Sequence, residues 1–449
     1  MARATGQDLL IGLERGRYLN GTSLLFILLI VCAASSGESA RNYGFPQETR
    51  RAPLTAPRVP HSTTEPMHRT IAFNARLNQS STVAPASPLG HRRGARSPQS
   101  RIRDRAAAAS GSGNATPQFL EGLEYSTGVG PAAAAVGDLN HDGWQDLVVA
   151  NSTDNTVSVL LGRGDGAFAI HVDYATGKGP SSVAMADLNG DGKLDLVVTN
   201  ATDNTVSVLK GNGDGTFQAH MDRPANDLPQ SVAVADFNRD QKPDLVLVNA
   251  PADFGQGNIS VLLGNGDGTF RNPVQYAAGV GTTSLTVADL DGDGNPDVVV
   301  ANSDTAHVTT GALNVFIGKG DGTFRTATTY DFGRGAASVA VADLNGDGKV
   351  DLAVSTFDRT TIPGPATVSV FLGNGDGTFG APNAFVTGAA GSIIAEDFDG
   401  DGQVDIAVAS SVNNTVSLLL GAGDGTFRSQ VDFGAGNSPR SLVAGRFQR

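Results

Sequence analysis

A nine-residue string, Asp-x-Asn/Asp-x-Asp-Gly-x-x-Asp, begins at Asp138, Asp187, Asp236, Asp289, Asp343 and Asp397, at separations of 49, 49, 53, 54 and 54 residues. A period near 50 means an array of supersecondary units, each burying its apolar surface against its neighbours. A second string, Gly-x-Gly-Asp-Gly-Thr-Phe, ends at Phe168, Phe217, Phe270, Phe324, Phe379 and Phe427, each 18 or 19 residues before the next acidic string or its expected place. Phe119 keeps that offset before Asp138, and Phe427 keeps it before Arg446, where a seventh acidic string should start and does not.

Each unit reads as four short strands. In the second they are FAIHVDYATG, PSSVAMADL, LDLVVTNA and TVSVLKG, all β-branched or alternating and none long enough for a helix. The strand entering each acidic loop is small and alternating, as a crowded axis requires. The strand leaving it is a continuous apolar run such as LVVA or VVVA, which demands burial on both faces. The strand after each Phe is polar, carrying His171, Asp173, His220 and Asp222, which fits a solvent-facing edge. The fold class is therefore all-β, a β-propeller of four-stranded blades with six full repeats and a partial seventh. Phe119 to Tyr125 offers an outer strand and Pro439 to Phe447 an inner one. A seven-fold ring would have a seventh blade with only those two strands, and its open edges would invite dimerisation through the gap. The seven-fold ring is favoured because the terminal strands keep the same 19-residue offset; the alternative, a six-fold ring, would leave one surplus strand at each end.

The acidic loops carry the chemistry. Oxygen ligands at loop positions 1, 3, 5 and 9 can converge on one point, with a glycine at position 6 that turns the backbone at positive φ. The candidate ligands are Asp138, Asn140, Asp142 and Asp146; Asp187, Asn189, Asp191 and Asp195; Asp236, Asn238, Asp240 and Asp244. They continue with Asp289, Asp291, Asp293 and Asp297; Asp343, Asn345, Asp347 and Asp351; Asp397, Asp399, Asp401 and Asp405. An oxygen-only donor set selects a hard cation, Ca²⁺ before Mg²⁺, so five to six calcium sites are expected. The competing explanation is that Asp, Asn and Gly merely build a hairpin. Three or four carboxylates within nine residues, repeated six times, would add a repulsion that a hairpin does not need. Gln241 stands where the third loop should have its glycine, so that loop should bind weakest.

The loops DLNGDGKLD (Asp187 to Asp195), DLDGDGNPD (Asp289 to Asp297) and DLNGDGKVD (Asp343 to Asp351), with the partial Phe379-Gly380-Ala381-Pro382, resemble the FG-GAP or VCBS repeat family. Its best-known relative is the amino-terminal propeller of integrin α-chains. The resemblance covers residues 119 to 449. It implies a propeller of about seven blades, calcium in the loops and adhesion or recognition outside the cell, and it names no ligand. The chain departs from the pattern at Gln241, at Ala167 in the first glycine turn and at Arg446.

Charge divides the chain. Residues 1–118 hold 15 Arg, no Lys and 6 acids, a balance of +9, which leaves 17 bases against 39 acids, or −22, for residues 119–449. That field excludes nucleic acid as a partner of the large segment and works against anionic membrane. The run Leu24 to Ala34, which contains the lone Cys32, follows three arginines and reads as a secretory signal within residues 1–40, with an uncleaved anchor as the alternative. Eleven apolar residues are short for a membrane span, so no integral span is expected. Residues 41–118, rich in Pro, Arg and Ser, read as a disordered tether ahead of the propeller at 119–449. The expected location is secreted, extracellular or at the cell surface.

In an up-and-down blade the acidic loops and glycine turns share one face, and the loops between second and third strands lie on the other. Those opposite loops lengthen in repeats three to five, to NAPADFGQGN, NSDTAHVTTGAL and STFDRTTIPGPAT. They make a candidate binding face that includes Phe254, His307, Phe357 and Arg359, for a surface protein or polysaccharide. The Gly-Asn-Gly-Asp-Gly turns precede no helix, so they lack the dipole of a phosphate loop. His141, His171, His220 and His307 yield no nucleophile, base and orienter set, so no enzyme activity is expected, and His171 and His220 read as exposed edge residues. The function expected is a calcium-binding adhesion or ligand-recognition module. The alternative is a carbohydrate-active protein, lectin or polysaccharide-degrading enzyme, on the same scaffold.

Overall fold

The computed structural model describes residues 7–13, 28–33 and 123–447, except 226–227, 251–254, 304–310, 334, 358–365, 389, 437 and 446. The chain divides into two units, Met1–Ala75 with Pro117–Arg449, and Arg76–Thr116. The whole of 41–118 lies outside the described residues. Every regular element among those described is a β-strand.

In the first blade Pro131–Gly137, Asp146–Asn151, Thr156–Leu160 and Val172–Ala175 pair antiparallel in chain order, and five further blades repeat that order. Local chemistry sets the turns. The connection between second and third strands closes at Asn155, Asn204 and Asn414, with φ of 58°, 55° and 58°, a left-handed conformation that Asn tolerates. The second strands are buried along their full length, as in Asp195–Asn200 and Asp405–Ser410. Sheets stacked on sheets leave those continuous apolar runs no wet face, and each fully buried Val or Leu contributes about 1.5–3 kcal/mol. The outer strands are exposed except at their third residue.

The first strands of successive blades touch in ring order, and Pro439–Val443 closes the ring against Pro131–Gly137. Three contacts recur at the seams. First, in blades two to six the last glycine of the glycine turn donates its N–H to the second residue of the preceding blade's acidic loop, as Gly215 to Leu139 (3.2 Å) and Gly268 to Leu188 (3.0 Å). Second, the ring at the third outer-strand position packs edge-on against the turn Phe of the next blade. Tyr174 meets Phe217 at 5.4 Å and Tyr330 meets Phe379 at 5.8 Å. Third, on the opposite side, Asn155, Asn204 and Asn414 accept N–H bonds from Gly179, Leu228 and Ser438 through Oδ1 at 2.7–2.9 Å.

The seventh blade departs from expectation. It is a four-stranded sheet with Pro439–Val443 inside, then Leu28–Ala33 and Gln7–Leu13, and Leu123–Thr127 outside. The two middle strands, expected to be missing, come from the segment read as a secretory signal and its upstream neighbour. The reason is physical: periodicity alone does not separate an apolar strand such as Leu28–Ala33 from a signal core. The open gap on which a dimer was expected is therefore filled. Tyr125 and Phe447 hold the seam to the first blade, with their rings 5.5 and 5.2 Å from that of Phe168.

Candidate metal centres

Each acidic loop is first a set of hydrogen bonds. The position-1 carboxylate accepts backbone N–H groups across the loop. Asp187, for example, takes those of Gly190 (2.8 Å), Asp191 (3.1 Å) and Gly192 (2.8 Å). Position 3 accepts the N–H of position 5, as from Asp191 to Asn189 at 2.9 Å, and the position-5 carboxylate turns back to the N–H of position 7, as Asp191 to Lys193 at 3.0 Å. Glycine at position 6 sits at φ near 80° in five loops, and Gln241 takes 64° in the third. Position 4 also needs positive φ, which sequence reading missed. Glycine fills it in four loops, but His141 and Arg239 stand there at 58° and 59°.

Position 9 latches the blade together. Asp146, Asp195, Asp244, Asp297, Asp351 and Asp405 are fully buried. One oxygen of each accepts the N–H of loop position 2 and the other that of the first glycine of the glycine turn, at 2.7–3.1 Å. Burial pushes Asp146, Asp244, Asp297 and Asp405 up to about 6, and raises Asp195 and Asp351, against the opposing pull of those two backbone donors. A Cβ on that turn glycine would strike the carbonyl of loop position 8, which explains the invariant first glycine of the second string within this chain. The remaining turn residues close on themselves. Thr216 donates its N–H (2.9 Å) and hydroxyl (2.5 Å) to Asp214, and the hydroxyl bond holds that carboxyl below its usual range.

Hydrogen bonds of this kind account for much of the Asp and Asn content without a metal. What they do not account for is position 3 in the fourth and sixth loops. There Asp291 and Asp399 replace Asn, and Asp289, Asp291 and Asp297, like Asp397, Asp399 and Asp405, bring carboxylate oxygens within 4.8 Å of one another. The three carboxylates of each group repel one another when ionised, a repulsion that a cation would relieve. Beside the first group the buried Oδ1 of Asn295 has no hydrogen-bond partner. The structure thus draws together positions 1, 3 and 9 and leaves position 5, Asp293 and Asp401, turned toward the N–H groups of Asn295 and Gln403. In the other four loops Asn140, Asn189, Asn238 and Asn345 hold position 3, so fewer carboxylates share the point. The donor set fits a hard divalent cation in the fourth and sixth loops best.

Two His, Asp and Ser groupings come together in the blades. Ser158 and His171 both bond Asp173 Oδ1, at 2.6 and 2.9 Å, and Ser207 and His220 bond Asp222 in the same way. His171 and His220 are therefore partly covered edge residues with a carboxylate partner, not freely exposed ones. The order is wrong for a nucleophile: the buried serine gives its proton to the carboxylate and accepts from Gly128 and Asn151. In the sixth blade Gln430 replaces the histidine on Asp432, which marks the arrangement as structural. On the opposite face Phe254, His307 and Arg359 lie outside the described residues, as does the side chain of Phe357. No described helix is long and apolar enough to cross a membrane.

Six repeating four-stranded blades, stitched at both faces and carrying an acidic loop at each inner turn, define a β-propeller of the acidic-loop type. The FG-GAP-like repeat matches residues 138–198, 187–247, 236–300, 289–354 and 397–448, and the chain belongs to that family. Solved structures share the fold. A functionally unknown protein from Desulfotomaculum acetoxidans is 12% identical with a TM-score of 0.52, covering 73% of this chain and 92% of its own. The periplasmic gluconolactonase of Pseudomonas aeruginosa is 15% identical with a TM-score of 0.53, covering 75% and 96%. A putative 6-phosphogluconolactonase from Bacteroides fragilis is 14% identical with a TM-score of 0.50, covering 75% and 95%. No curated protein matches the sequence.

Proposed function

We propose that this chain is an extracellular or cell-surface, calcium-binding propeller that keeps its amino-terminal strands and serves as an adhesion or ligand-recognition module. The observation that carries the metal reading is the approach of three carboxylates to within 4.8 Å in the fourth and sixth loops, where a turn alone would need no more than Asn. Side-chain oxygens at positions 1, 3 and 9 would hold the cation, with position 5 recruited from its turn. The cation would supply charge neutralisation and rigidity to one face of the ring. Recognition is assigned to the opposite face, where the longest loops of repeats three to five belong, for a surface protein or polysaccharide.

Calorimetric titration of calcium into the full chain tests this reading, with five to six sites expected and magnesium binding more weakly. Two of the proteins sharing the fold are named as lactonases, so a lactone-hydrolysis assay on the same preparation separates recognition from catalysis. Turnover that persists in excess chelator, with no calcium heat, would favour the catalytic alternative.

A further inference from the structure

The fourth and sixth loops differ from the other four in a second way. The residue that follows the turn Phe is arginine in those blades, and it folds back onto its own acidic loop. Arg325, after Phe324, places Nη1 3.3 Å from Asp291 Oδ2 and Nη2 3.9 Å from Asp293 Oδ2. Arg428, after Phe427, contacts Asp401, lies 4.0 Å from Asp399 and is fixed by an Nε bond to the carbonyl of Gly421 at 2.6 Å. The position-3 carboxylates they approach are nearly covered, with 9% and 8% of the Asp291 and Asp399 side chains exposed.

The same sequence position elsewhere holds Ala169, Gln218, Gly380 and Arg271. Arg271 belongs to the blade whose loop has Asn238, and among the described residues no ion pair joins it to Asp236, Asp240 or Asp244. In three of the four loops where position 3 is Asn, position 7 is instead a lysine, Lys193, Lys242 or Lys349, and in the first loop it is Trp144. Lys193 and Lys349 reach only the position-5 carboxylates, Asp191 at 3.3 Å and Asp347 at 3.7 Å. An extra buried carboxylate and a guanidinium that reaches it thus occur together, twice, and the guanidinium faces an oxygen of the converging group itself.

We propose that Arg325 and Arg428 are resident counter-cations that compete with calcium for Asp291 and Asp399, and so lower the calcium affinity of the fourth and sixth loops. This rests on the metal reading above. The guanidinium holds the extra carboxylate in the metal-free protein. On binding, the divalent ion must take over an oxygen that the arginine already neutralises, and it meets a like charge as it enters. Arg325 is half exposed, so it can swing into solvent without opening a cavity.

Calcium titration calorimetry on the full chain compares wild type with R325Q/R428Q and R325K/R428K, with folding checked by thermal melting. In the glutamine variant two sites should tighten about tenfold, the effect of removing a unit charge about 6 Å from a divalent ion at water-like screening. The lysine variant keeps the charge and should stay within about twofold of wild type. Anomalous scattering from crystals at sub-saturating calcium should show occupancy rising in the fourth and sixth loops of the glutamine variant and not in the second and fifth. Unchanged or weaker binding there, as arginines that merely brace the loops would give, overturns the proposal. Wild type that binds no calcium overturns the metal reading as well, whereas wild-type binding with an unaltered variant overturns only the role of the arginines.

Discussion

The N–H of Gly166 donates to the carbonyl of Phe447 at 3.1 Å, joining a turn of the first blade to the segment that follows the last inner strand, Pro439–Val443. Gly215 and Leu139 make the same bond one blade on, and so do Gly322 and Phe237 at 2.9 Å. The seventh blade has no acidic loop, yet Phe447 supplies the backbone acceptor that the first five acidic loops supply.

Phe447 should therefore act as a clasp. It is 2% exposed and packs with Phe168, Val443 and Leu160. Phe447→Ala should lower unfolding free energy by about 3 kcal/mol, the lower end for a buried Phe. Val412→Ala, at an 82% exposed site, should change it little. Urea unfolding of the two variants checks the contrast; equal stabilities would mean that the seam does not close through Phe447.

The seventh blade gives a second test. Deleting residues 1–40 removes both middle strands and leaves the edges of Leu123–Thr127 and Pro439–Val443 unpaired. Amide exchange in those two strands should accelerate by orders of magnitude, while the fully buried second strands of blades two and three stay protected. Protection unchanged by the deletion would show that the amino-terminal strands are dispensable to the blade.

In the third loop Arg239 and Gln241 both sit at positive φ, at 59° and 64°. Gln241→Gly relieves one left-handed non-glycine residue and should raise stability by up to about 1 kcal/mol. It should also tighten calcium at that loop. Arg239→Gly is a poorer probe, because Arg239 also donates to the carbonyl of Asp293 at 2.8 Å. Thermal melts with and without calcium measure both effects.

Four buried latch carboxylates, Asp146, Asp244, Asp297 and Asp405, titrate near pH 6 in the metal-free fold. The folded chain therefore keeps protons that the unfolded chain has already released. Their contribution to stability is fullest below about pH 4 and is lost as pH rises through 6. In excess chelator the melting temperature should fall between pH 5 and 7. Calcium binds the ionised form and should abolish that fall. Asp405→Asn, neutral at every pH, should make the metal-free fall smaller, since it removes one of the four groups.

Much of this was legible in the sequence because repetition magnifies weak signals. One Asp-rich turn is ambiguous, but six at a fixed period place the blades, their order and the buried second strands. The inward aromatic Tyr174 was less visible, since alternation within a four-residue edge strand is too short to read. The middle strands of the seventh blade were missed because Leu28–Ala33 has no turn signal tying it to a repeat, and apolar length alone does not separate a signal core from a blade strand. Position-5 aspartates were read as equal ligands, because spacing does not show that Asp191 and Asp293 spend an oxygen on the N–H two residues on. The arginines after Phe324 and Phe427 gave no signal until the fold brought them over Asp291 and Asp401.

The most direct measurement is the thermal melt of the full chain at pH 7.5 in excess chelator and in calcium about tenfold above the dissociation constant. Each occupied site then adds about 1.4 kcal/mol, so five to six sites add about 7–8 kcal/mol, or roughly ten degrees for a propeller of this size. A fall of that order on chelation, reversed by calcium more fully than by magnesium, is the predicted result. Superimposable melting curves with and without chelator would contradict the calcium-bearing propeller.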